Sequence, residues 1–240
     1  MGGDMKKLIT LFFIILNIIS YSFHIMPDGF EKRIDNGEGY QEFYFPNNGL
    51  ETLRYKFAVS PGSSIRGDMS QWVEFYPKIL TVKPGETGLL KVFAKAPKEV
   101  KDGEYGFHLD SSLISIPNIK KDGTGIKSNV GIRINASLEM IGYVGNLEPL
   151  IKVDSYKIYE ENGKTKLDIA LKNPSDKRGV EFGIQVKGKN KTTVRNTLGR
   201  IYAGENKKIT LELEGMKKNH PYEIEIYEDI NYRTINKIKI

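Results

Sequence analysis

Residues 130–144 read VGIRINASLEMIGYV, and in them Val130, Ile132, Ile134, Ala136, Leu138 and Met140 alternate with Gly131, Arg133, Asn135, Ser137 and Glu139. Six apolar residues in phase at every second position describe a long strand with one apolar face, because successive side chains of a strand point to opposite faces. On a helix the same six would be spread around the axis and could not share a core. Two uses of such a strand stand open. Either the whole row lies on the core of its own sandwich, or the first half runs past that core and offers Val130, Ile132 and Ile134 to a partner that lacks a strand. The polar stretch 117–129, rich in Gly and Lys, then leads into it as a loop.

The same style extends in both directions. Upstream, short blocks of β-branched and aromatic residues predict strands near 23–26, 40–45, 52–59, 72–75, 89–94 and 105–113. They are separated by Pro46-Asn47-Asn48-Gly49, Pro61-Gly62, Pro84-Gly85, Asp102-Gly103 and Asp122-Gly123. Downstream, 151–159 and 164–171 flank Asn162-Gly163, a strong hairpin signal. Further strands are expected near 180–186, 192–196, 208–213, 222–227 and 232–240. A chain of 240 residues is long for one domain, and the pattern breaks at Gly145-Asn146. The fold class is therefore all-β, two immunoglobulin-like β-sandwich domains, 23–145 and 146–240.

The N-terminus has the three-part layout of a secretory signal. Lys6 and Lys7 precede the apolar run 8–19, and the small residues Ser20 and Ser22 follow. About twelve apolar residues fall short of the roughly 20 that span a bilayer, so cleavage after Ser22 is expected, with an uncleaved anchor as the alternative. Residues 1–22 form the signal, of which 1–4 read as an upstream start or a tag.

Composition and motifs exclude several function classes. The chain has no cysteine, which removes disulfides, thiol catalysis and iron–sulfur ligation. Its charge of +6, from 36 basic and 30 acidic residues, is scattered. The densest basic stretch, 187–195, contains no aromatic residue, so no nucleic-acid partner is expected. His24, His108 and His220 fall in three separate segments, and neither metal nor cofactor is expected. The segment 122–128 lacks the Gly-Lys-Ser of a phosphate loop. Arg66-Gly67-Asp68 matches an adhesion tripeptide but is explained by turn chemistry. Asn135-Ala136-Ser137 matches a glycosylation acceptor, yet lies inside a strand. No Ser/His/Asp or paired-carboxylate constellation can be assembled, so no enzyme and no small-molecule substrate are expected.

One resemblance sharpens this. The order Phe57-Ala58-Val59, residues 72–77, then Ile79-Leu80-Thr81-Val82-Lys83-Pro84-Gly85-Glu86-Thr87, Leu90-Lys91-Val92, Gly103-Glu104-Tyr105 and the alternating 130–140 strand resembles the N-terminal domain of PapD-like periplasmic pilus (fimbrial) assembly chaperones. The resemblance covers about residues 24–145. It implies a periplasmic, two-domain chaperone that caps incomplete immunoglobulin-like subunits by strand donation. Its partners would be an exported pilus or fimbrial subunit and the outer-membrane usher. It maps the donor-strand residues onto Val130, Ile132 and Ile134. The family anchors the subunit's terminal carboxylate with an Arg near the first strand and a Lys late in the donor strand. Here the late position holds Glu139, and Arg33 and Arg133 are the candidate anchors. The competing reading is a secreted or surface immunoglobulin-like module, structural or adhesive, in which 130–144 is an ordinary core strand.

Overall fold

The computed structural model describes residues 24–114, 135–188, 193–218 and 220–240. Among these residues nine strands precede residue 145: β1 (Glu31–Arg33), β2 (Tyr40–Pro46), β3 (Leu53–Pro61), β4 (Gly67–Asp68), β5 (Val73–Tyr76), β6 (Ile79–Val82), β7 (Thr87–Ala94), β8 (Gly103–Leu113) and β9 (Asn135–Val144). A short 3-10 turn, Ser70–Trp72, leads into β5. One sheet runs β1-β9-β8-β3-β6, with β4 also on β8, and the other runs β2-β7-β5. Both sheets turn alternate side chains inward. Phe43, Phe45, Leu90 and Val92 of the smaller sheet meet Tyr55, Phe57, Phe107, Leu109 and Met140 of the larger in one buried core. That period-two burial is the packing of a β-sandwich.

Among the described residues seven strands follow: β10 (Lys152–Glu161), β11 (Lys164–Lys172), β12 (Val180–Gly188), β13 (Thr193–Ile201), β14 (Asn206–Glu212), β15 (Tyr222–Glu228) and β16 (Arg233–Lys239). The sheets β10-β11-β14 and β13-β12-β15-β16 enclose a second core. Leu167, Ile169 and Leu171 meet Phe182, Ile184, Ile224 and Ile226 there. The Asn162-Gly163 hairpin forms as expected: Glu161 pairs with Lys164, and both turn residues have positive φ, 52° and 73°, which is the two-residue turn that suits strand twist. The architecture is all-β with two sandwiches.

Several strands depart from expectation. Among the described residues 24–26 no strand forms, and Met26 makes a single bridge, to Tyr44; Phe23 lies outside the described residues. Instead β1 forms from Glu31-Lys32-Arg33, three charged residues without apolar alternation, lying parallel to β9. The short β6 sits between Pro77 and Pro84. β13 continues to Ile201, well past residue 196. Arg66-Gly67-Asp68 is built into the fold: the Arg66 side chain is buried in two ion pairs, and Asp68 accepts from the Ser70 N–H and hydroxyl.

Candidate functional site

The alternating strand ends up next to the margin of the larger sheet. β9 pairs along its whole length with β8, from Asn135 opposite Ser112 to Val144 opposite Gly103. On its other side β1 covers only Ile141, Gly142 and Tyr143. Ile141 donates its N–H to the Phe30 carbonyl. Main-chain groups alternate sides along a strand, so Glu139, Ser137 and Asn135 face the same way as Ile141. No strand of the described residues meets them. Among the described residues the result is an open main-chain edge at Asn135, Ser137 and Glu139, closed at Ile141 by β1.

Sheets normally protect their edges with charge, prolines or shortness. The edges of the second sandwich do so: β10 carries Lys152, Asp154, Lys157, Glu160 and Glu161, and β16 carries Arg233, Lys237 and Lys239. β5 and β6 are four residues each, and β2 is bridged by Met26. The open part of β9 has a single charge, Glu139, which is turned away over Gly106 toward Arg66. On the inward face, Met140 is buried and Leu138 is half-buried against the first core. The Ser137 hydroxyl donates to Asp110, which also accepts from Ser60 across β8.

Beyond the closed end of this edge lies a charged junction between the sandwiches. Glu31 accepts from Arg178 Nη2 at 3.0 Å and from Arg200 Nη1 at 2.9 Å. Arg178 also donates to Glu228 at 2.6 Å and to the Leu147 carbonyl, and its guanidinium lies 4.0 Å from the centre of the Tyr143 ring. Glu104 accepts from the Gly179 N–H at 2.8 Å, from Arg200 and, on its other oxygen, from Arg66 Nε at 3.2 Å. Arg66 Nη1 holds Glu139 at 2.6 Å, and the Ser63 N–H donates to the same oxygen at 3.1 Å. Charges this deeply removed from water persist only when paired. Burial pulls the Arg200 guanidinium down, but Glu31 and Glu104 outweigh it and hold Arg200 above its ordinary range. Burial pushes the Glu181 carboxyl up, and Arg200 opposes that push.

Of the expected site residues, Val130, Ile132, Arg133 and Ile134 lie outside the described residues. Arg33 is on β1 opposite Tyr143, away from the open edge, where it pairs with Asp35 at 2.8 Å and donates to Asn146. Glu139 is paired with Arg66 rather than standing as a free charge. The junction residues Glu31, Arg66, Glu104, Arg178, Arg200 and Glu228 carry no sequence signature. Their partners lie up to 169 positions apart. Among the described residues no group of three or more His, Asp or Glu side chains is arranged to hold a metal ion, and no helix is long and apolar enough to cross a membrane.

No family model matches the chain, and no curated protein matches it. Among solved structures it is similar to the CupB2 chaperone of Pseudomonas aeruginosa, with 11% identity over 90% of this chain and 98% of that one and a TM-score of 0.47. It is similar to a chain of the Salmonella enterica SafA pilin complex with the SafB chaperone, with 12% identity over 92% and 97% and a TM-score of 0.48. A chain of the CsuC–CsuE chaperone–tip adhesion subunit pre-assembly complex of Acinetobacter baumannii shows 14% identity over 91% and 97%, with a TM-score of 0.44.

Proposed function

We propose that this protein is a non-enzymatic, exported chaperone-like factor of the pilus-assembly kind, which captures an incomplete β-sandwich subunit by strand pairing in the periplasm. Residues 1–22 act as its export signal, and 23–145 and 146–240 as its two units. One observation carries the reading: β9 presents the main-chain groups of Asn135, Ser137 and Glu139 on an edge that no described strand covers and that lacks the usual charge protection. Strand addition to such an edge supplies main-chain hydrogen bonds, and alternate side chains supply fit. The row Val130, Ile132, Ile134 continues the phase of Leu138 and Met140 and provides the apolar side chains for the subunit's groove. Arg133 remains as the candidate carboxylate anchor, since Arg33 is engaged by Asp35.

A second reading has its own observation. Leu138 and Met140 belong to the first core, as they would in a surface module, and the second sandwich exposes Tyr156, Tyr202 and Tyr232 for adhesive contact.

The test is a tagged pull-down from the envelope of the producing cell, with mass spectrometry, run on wild type and Ile132→Glu. Capture of one small strand-rich exported protein by the wild type alone is the expected result, with unchanged circular dichroism for the variant. Equal capture by both proteins, or unfolding of Ile132→Glu, counts against strand donation and favours the core strand of the second reading.

A further inference from the structure

The closed end of the β9 edge has an electrostatic character that sets what kind of strand fits it. We infer that the edge selects an extended segment that brings a cationic or neutral residue opposite Glu139, and rejects one that brings a carboxylate there. The inference rests on the strand-pairing reading above and specifies its ligand.

The geometry is as follows. An incoming strand pairs with Asn135, Ser137 and Glu139 and must stop at Ile141, whose N–H is already taken by Phe30. Its last paired residue therefore lies opposite Glu139. Directly opposed residues share a face with their Cβ atoms about 5 Å apart, so like charges there repel and opposite charges attract. On that face stand Glu139, Glu104 and, one residue past Phe30, Glu31. Every arginine of the junction is already engaged: Arg66 by Glu104 and Glu139, Arg178 by Glu31 and Glu228, Arg200 by Glu31 and Glu104. Within these ion pairs carboxylates outnumber guanidiniums four to three: Glu31, Glu104, Glu139 and Glu228 against Arg66, Arg178 and Arg200. Glu139 keeps about 29% of its side chain exposed, while its Oε1 accepts from Arg66 and from the Ser63 N–H. The protein as a whole carries +6. Non-specific attraction would therefore favour an acidic ligand, and a preference for a basic one reports the local field.

The experiment uses the mature protein and two synthetic ten-residue peptides, acetylated and amidated, of alternating Thr and Val, with Lys at both ends in one and Glu at both ends in the other. Charging both ends makes the result independent of strand direction. Fluorescence anisotropy at low salt is expected to give about a three- to tenfold lower Kd for the Lys peptide, the range for reversing one cross-strand charge pair. In Glu139→Gln the ratio falls toward one; being a ratio within one protein, it is insensitive to the fraction folded. Equal affinities, or tighter binding of the Glu peptide, overturn the inference while leaving strand pairing in place. Tighter binding of the Glu peptide that disappears in Arg133→Gln assigns carboxylate recognition to Arg133 instead. Binding of neither peptide overturns the strand-pairing reading, and the inference with it.

Discussion

Replacing Arg178 by Met tests whether the buried charges hold the two sandwiches together. Its side chain is 2% exposed and bonds Glu31 and Glu228, themselves 1% and 2% exposed, besides the Leu147 carbonyl. Methionine keeps much of the volume but leaves two buried carboxylates short of a partner. Glu31 retains Arg200, and among the described residues Glu228 retains the surface residue Arg233 at 3.5 Å. Removing one partner from a buried ion pair costs about 3–5 kcal/mol. With a urea slope of about 2–3 kcal/mol/M for a chain of this size, the midpoint falls by roughly 1–2 M. The single tryptophan, Trp72, packs against the first core, so its fluorescence follows that sandwich while far-UV circular dichroism follows both. The two transitions are expected to separate in Arg178→Met. A midpoint shift below about 0.3 M, with coincident transitions, would refute the reasoning, because it would mean that the desolvated charges cost as much as their pairing returns.

Other expected outcomes follow from single features. Gly163→Ala, at φ 73° with nothing near its Cβ, should cost about 1–2 kcal/mol of backbone strain alone, read from a urea midpoint. Gly39→Ala should cost about 3 kcal/mol or more in the same assay, because its Cβ would meet the Ala94 carbonyl oxygen at 2.0 Å. The Tyr40 phenol, bonded to Glu42, is pushed up to about 12. The fold thus favours the neutral phenol, a contribution complete below pH 10 and lost as pH rises through 12; the phenolate absorbance difference between wild type and Tyr40→Phe should titrate near 12, and shift down once Glu42 is Gln. Burial raises the Glu181 carboxyl, so the folded protein holds that proton more tightly than the unfolded chain and this group costs stability at neutral pH. Glu181→Gln is therefore expected to be more stable than wild type at pH 7, with the gain shrinking as pH falls below the raised value toward 4.5; an unchanged thermal midpoint at pH 7 would contradict this.

Much of the architecture was legible because strand burial follows a period of two. The blocks that became β2, β7, β8, β11 and β15 announce themselves by apolar alternation, and Asn162-Gly163 names its own turn. β1 was not legible: Glu31-Lys32-Arg33 has no apolar face, and what fixes it is pairing with Ile141–Tyr143 and neutralisation of Glu31 by Arg178 and Arg200, 147 and 169 positions away. The same distance hid the junction. Glu139 reads in sequence as a charge that would repel a carboxylate; in the fold Arg66, drawn in from the loop after β3, holds it. The open edge was half legible: the alternation pointed to β9, but that β1 stops at Ile141 is a matter of register, which one sequence does not contain.

The most direct measurement is residue-resolved amide hydrogen exchange on β9, in the free protein and in the complex recovered by pull-down. The Leu138 and Met140 amides, which face β8, should be protected in both states. Those of Ser137 and Glu139 should exchange rapidly in the free protein and become protected on capture. Protection of Ser137 and Glu139 in the free protein, or no change on capture, would contradict recognition through this edge.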